Sequence, residues 1–174
     1  PQYGDPASYV HDPAFAPGAA ASRPMPAKAL VGAVDRYFDA LEGGKGALPR
    51  FAAGCERQDN GVPTTSGPEA DGGVQGCAAQ IKAGVFAPVG RVRARRYPVV
   101  DPARGVVIAA GFLDLPASKP IEAGKGLGWA ADYPYSIGFI SAFKIKDGGV
   151  WRVDTISDAQ PYLTPSPWSG PGRN

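Results

Sequence analysis

Tyr135-Ser-Ile-Gly-Phe-Ile-Ser-Ala-Phe-Lys-Ile-Lys-Asp-Gly-Gly-Val-Trp-Arg-Val-Asp154 decides the fold. It reads as a strand over 135–146, a tight turn at Asp147-Gly148-Gly149, and a further strand over about 150–159. Asp-Gly between two apolar runs marks a hairpin, because both residues accept the left-handed backbone that a tight turn needs. Moving upstream, 106–115 is nearly all apolar and reads as a central strand. Segment 89–100 alternates, with Val92, Ala94 and Arg96 on one side and Arg91, Arg93, Arg95 and Tyr97 on the other. Asp101-Pro-Ala-Arg-Gly105 is a compact turn between these two strands.

Before residue 89 the period is helical. Leu30, Val31, Val34, Tyr37, Phe38 and Leu41 recur at spacings of one, three and four, so 27–41 carries one apolar stripe. Pro26 suits a first helical turn and Gly43-Gly44 a stop. A short second helix is expected over 47–53, from Leu48 and Phe51. Cys55-Glu-Arg-Gln-Asp-Asn-Gly61 is polar and closes on a turn signal. Val74, Cys77, Ala78, Ile81 and Val85 predict a third helix of about three turns. The fold class expected is α+β: a cone-like curved antiparallel sheet of about four long strands, packed on three N-terminal helices, with a deep pocket at the uncovered end. Residues 1–26 form a Pro- and Ala-rich arm, 27–160 the domain and 161–174 a Pro-rich tail.

Composition narrows the class. Among 174 residues there are 24 Gly and 19 Pro, which belong in loops and tails of a single domain of this length. No apolar run reaches the roughly 18 residues of a membrane span, so the chain reads as soluble, cytoplasmic or exported, with no membrane partner. A net charge of +2 is too balanced for a protein that binds nucleic acid by neutralising phosphates. Position 1 is Pro rather than Met, as in a processed or trimmed product. Cys55 and Cys77 belong to no CxxC pair, and with one His in the chain a four-ligand zinc site is not expected. The two are either independent buried thiols or one disulfide. His11 sits in the arm, as a solvated residue or, if the arm folds over a pocket, as an acid or base. Gly124-Lys-Gly-Leu-Gly128 lacks the flanking strand and helix of a dinucleotide site and reads as a flexible loop, so no cofactor is expected.

Three features together resemble the nuclear-transport-factor-two-like superfamily and its SnoaL-like enzyme branch. They are the opening helix Ala-Leu-Val-Gly-Ala-Val-Asp-Arg-Tyr-Phe-Asp-Ala-Leu, the polar Glu-Arg-Gln-Asp-Asn-Gly segment, and the terminal hairpin Phe143-Lys-Ile-Lys-Asp-Gly-Gly-Val-Trp-Arg-Val-Asp154. The resemblance covers about 27–160, with Gly149 where the family turn usually has Lys and no pocket histidine inside the matched region. It implies a cofactor-independent lyase or isomerase acting on a small apolar compound, aromatic or phenolic, such as a lignin-derived diaryl molecule. A homodimer is implied as well. The alternative is a non-catalytic module that binds a hydrophobic ligand or dimerises through an open sheet face.

The resemblance places Asp59 on a strand bordering the cavity and Asp154 on the last strand, where a carboxylate can act as general base. Their competing roles are a turn residue and a cross-strand ion pair. Arg95, from the 91/93/95 row, would steady a developing oxyanion if it points into the pocket; otherwise the row is a solvated face paired with acidic helices. Tyr133 can donate to the same oxyanion, with Asp132 beside it a further acid or base. Tyr37, Asn60, Trp129, Tyr135, Trp168 and His11 are the expected substrate contacts, the large rings offering flat stacking surfaces.

Overall fold

A computed structural model describes residues 4–10, 12–19, 23–42, 47–67, 70, 73–116 and 133–168. In chain order the elements are a single turn α1 (Ala7–Val10), α2 (Ala27–Leu41), β1 (Phe51–Asp59), β2 (Val62–Pro63), α3 (Cys77–Lys82), β3 (Arg91–Asp101), β4 (Val106–Leu115), β5 (Tyr135–Lys146) and β6 (Gly149–Pro161). The strands form one curved sheet in the order β2-β1-β6-β5-β4-β3. Every neighbouring pair is antiparallel except β1 and β6, which run parallel.

The apolar stripe on α2 drives the packing. Leu30, Val34, Tyr37, Phe38 and Leu41 are all buried against the sheet. Phe38 meets Phe139 and Phe143 at ring separations of 5.2 and 5.5 Å, and Tyr37 meets Phe143 edge-on at 5.2 Å. Side chains alternate across a strand, so the sheet has two faces. Ile137, Phe139, Ser141 and Phe143 of β5 face α2, on what we call the inner face. Gly138, Ile140, Ala142 and Lys144 point to the outer face. Gly111 on β4 is required on the inner side, since a Cβ there would lie 2.9 Å from the Phe139 ring. The β5–β6 hairpin turns through Asp147 (φ 51°) and Gly148 (φ 77°), the backbone that the Asp-Gly pair predicts.

Two expectations are corrected. Segment 47–53 forms no helix: Phe51 opens β1, and Leu48 is largely exposed in the connection before it. The spacing of three between Leu48 and Phe51 imitates a helical repeat, but pairing of β1 alongside β6 absorbs the segment into the sheet. The described residues therefore hold one long helix and one short one besides the α1 turn. The second correction concerns the arginine row. Arg93 pairs with Phe112 and Arg96 with Ala110, so β3 carries one extra residue there, at Ala94 with φ 53°. A bulge of this kind re-aims the side chains that follow it. Arg95 turns inward to α2, while Arg93 stays on the outer face with Phe112, its guanidinium 4.7 Å from that ring.

Candidate functional site

β1 brings the chemistry to the inner face. Its register sets Arg57 beside Val153 and Asp59 beside Thr155. Arg57 is buried; its guanidinium lies 4.6 Å from the centre of the Phe86 ring and donates to Gln80 Oε1 at 3.0 Å and to Asp59 Oδ2. Gln80 has no exposed surface, and its amide nitrogen donates to the Val74 and Thr64 carbonyls. With both donors used, the carboxamide oxygen is held toward Arg57. Cys55 and Cys77 form a disulfide, with Cα atoms 5.9 Å apart. It ties β1 to the first residue of α3, the helix that carries Gln80.

The Arg57–Asp59 pair lines an inner cavity whose apolar walls include Phe38, Leu41, Phe86, Leu113 and Phe139, with the hydroxyls of Ser141, Thr155 and Ser157 also facing it. The Ser141 and Thr155 hydroxyls share a hydrogen bond of 2.8 Å. The cavity measures about 30 Å³, room for a water-sized group. Among the described residues this cavity is narrow, because the rings of Tyr37, Phe38, Phe139 and Phe143 interlock where helix meets sheet. Among the described residues, no group of three His, Cys, Asp or Glu is placed to hold a metal ion, and no helix is long and apolar enough to cross a membrane.

The expected site residues do not converge. Asp59 and Tyr37 line the inner cavity. Asp154 faces the opposite way, since Gln58, not Asp59, is its neighbour across β1 and β6. Its Oδ1 accepts from Arg152 Nε at 2.7 Å, and the same guanidinium reaches Asp12 Oδ2 and Glu56 Oε2, each at 2.8 Å. Burial pushes the Asp154 carboxyl up to about 6; the neighbouring Asp12 carboxylate adds to this and Arg152 opposes it. Arg95 pairs with acidic residues of α2 and its C-cap, the other reading of the arginine row: it reaches Asp39 at 2.7 Å, Glu42 at 2.9 Å and Asp35 at 3.4 Å, with Phe38 beneath its guanidinium. Asn60 is buried and spends its amide on the Ser157 backbone, pinning the β1–β2 turn to β6. Tyr133 is 69% exposed, and its ring stands 6.3 Å from Tyr135. Trp168 packs outside β3, donating to the Ala94 carbonyl at 3.2 Å beside Phe112. His11, Trp129, Asp132 and the 124–128 loop lie outside the described residues.

Arg57, Gln80, Ser141, Thr155 and Ser157 escaped the reading of the sequence. The available signal was the separation of two between Arg57 and Asp59, which is strand spacing and puts both on one face.

An α+β domain with a curved sheet and an inner-face arginine–aspartate pair is the class these features define. Residues 23–157 match the family described as "Domain of unknown function (DUF8021)", and the chain belongs to it. No curated protein matches. Among solved structures, the chain is similar to a provisionally assigned polyketide cyclase from Silicibacter sp. TM1040, at 16% identity over 75% of this chain and 90% of that one, with a TM-score of 0.49. It is also similar to a provisionally assigned isomerase from Bacillus subtilis, at 16% identity, 77% and 90% coverage and a TM-score of 0.49. IdmH of Streptomyces antibioticus, a provisionally assigned polyketide cyclase, gives 16% identity, 74% and 91% coverage and a TM-score of 0.46.

Proposed function

We propose that this chain is a cofactor-independent lyase or isomerase that moves a proton on a small, largely apolar, aromatic or phenolic molecule at the inner cleft. The observation that carries the reading is the meeting of Asp59 and the buried Arg57 with three hydroxyls and an apolar wall in one cavity. Asp59 is the base. Its Oδ2 accepts from Arg57, and the carboxylate takes the proton through Oδ1. The Arg57 guanidinium, with the Ser141 and Thr155 hydroxyls, stabilises the enolate or phenolate oxygen as charge develops. Apolar walls strengthen these interactions by excluding water. A cavity of about 30 Å³ does not admit a ring, so substrate entry parts the rings that line it. The Cys55–Cys77 bond supports an oxidising compartment.

The test is proton exchange. The protein is incubated in D2O with a panel of aryl ketones and diaryl ethers, and deuterium uptake or elimination is followed by NMR. Removing a positioned base typically lowers rate by about 10²–10⁴-fold, so Asp59→Asn is expected to lose turnover by at least about 100-fold with its melting temperature nearly unchanged. Full turnover in Asp59→Asn would refute the assignment.

A further inference from the structure

Among the described residues, the outer face of the sheet carries a concavity of larger volume than the inner cavity. The described residues of the N-terminal arm cross this face and are fastened to it at several points. Gly4 N donates to the Asn60 carbonyl at 2.6 Å, and Tyr9 Oη donates to the Thr155 carbonyl at 2.8 Å. Asp12 pairs with Arg152 at 2.8 Å, and Lys144 Nζ donates to the Ala19 carbonyl at 2.6 Å. Between the arm and the 102–105 turn these tethers leave a groove of about 590 Å³, within the range of small-molecule sites. Its floor is Val99, Ile108, Ile140 and Ile156, and Phe15 and Pro17 of the arm stand over it. Val99, Ile140 and Ile156 are 49%, 58% and 60% exposed, large values for β-branched apolar side chains in the middle of a sheet.

The groove's charges are already spoken for. Asp154, at one end, is bonded to Arg152 at 2.7 Å, and Asp101, at the other, to Arg104 at 3.1 Å. A charged ligand would lose water here without gaining an unpaired counter-charge, which is unfavourable. A second copy of the chain is the other occupant that such an apolar floor would fit, and the experiment below separates the two. We propose that this groove binds a neutral, largely apolar small molecule of two or three rings, laid on the Val99–Ile140–Ile156 floor beneath Phe15. The site is separate from the inner cleft and stands or falls independently of the chemistry proposed there.

The experiment titrates the full chain with N-phenyl-1-naphthylamine, a neutral three-ring aromatic amine whose emission rises and shifts to the blue in apolar surroundings. Saturable binding of one probe per chain is expected. Ile140→Gln with Ile156→Gln should weaken it at least tenfold, and Phe15→Ala should weaken it less. Because Ile140 and Ile156 are mostly exposed, the melting temperature of the double variant should stay near that of the parent. The anionic probe 8-anilino-1-naphthalenesulfonate should bind at least tenfold more weakly. An affinity unmoved by the double substitution would overturn the proposal, as would equal affinity for the two probes. So would a dimer in solution that the double substitution splits, with the intact chain failing to bind the neutral probe.

Discussion

At Asp154 a buried carboxyl shares one guanidinium with Asp12 and Glu56, and burial raises it to about 6. The groups facing it are Arg152 on its own strand, Glu56 and Gln58 of β1, and Asp12 and Tyr9 of the arm. A carboxyl raised above its unfolded value favours the folded state when protonated. That stabilisation is complete below the unfolded value near 4 and is lost as the pH climbs through about 6. The melting temperature of Asp154→Asn should therefore fall less than that of the parent between pH 4 and pH 6.5. Parallel melting curves for the two proteins across that window would contradict the account. A second residue-scale expectation concerns Ala94, whose left-handed backbone is unfavourable for any residue with a Cβ. Ala94→Gly should stabilise the protein by up to about 1 kcal/mol in urea unfolding, provided the bulge persists.

Among the elements, α3 matters beyond its six residues because it carries Gln80 to Arg57 and is anchored through Cys77. Closing a loop of 22 residues stabilises by about 3 kcal/mol in the chain-entropy account. Replacing both cysteines with serine should cost about that much in urea unfolding and lower turnover at the inner cleft, since the helix that orients Arg57 is no longer held. Unchanged stability would show that α3 docks without the bond. This part of the fold was only partly legible in the sequence. The limits of β4 and β5 follow from their apolar runs and turns, because each is a local pattern. β1 was hidden because what makes it a strand is a parallel partner about a hundred residues away. The bulge at Ala94 was hidden too. Alternation in 89–100 looks unbroken by residue type, and only the pairing of β3 with β4 shows where the faces exchange.

Over the whole molecule, the decisive fact is that the sheet has two faces, each lining its own cavity. Asp59 faces inward with Thr155, while Asp154, one register position away, faces outward with Ile140 and Ile156. The sequence put both aspartates in one site, since it names strand residues without stating which face of a multi-strand sheet each will share. Tyr37 was legible as an inner wall because the α2 stripe is local; Arg57 was not, because its place depends on β6, Gln80 and the disulfide together. The arm shows the same limit from the other side. Its Pro- and Ala-rich composition gives no element, yet backbone and side-chain bonds fasten it across the outer face.

The most direct test is a crystal structure of the protein soaked with a phenolic substrate or product from the exchange panel. The account predicts a ring parted into the inner cleft between Phe38 and Phe86, its oxygen within hydrogen-bonding distance of Arg57 or Asp59. A ligand bound at full occupancy only on the outer face, with the inner rings still interlocked, would contradict it.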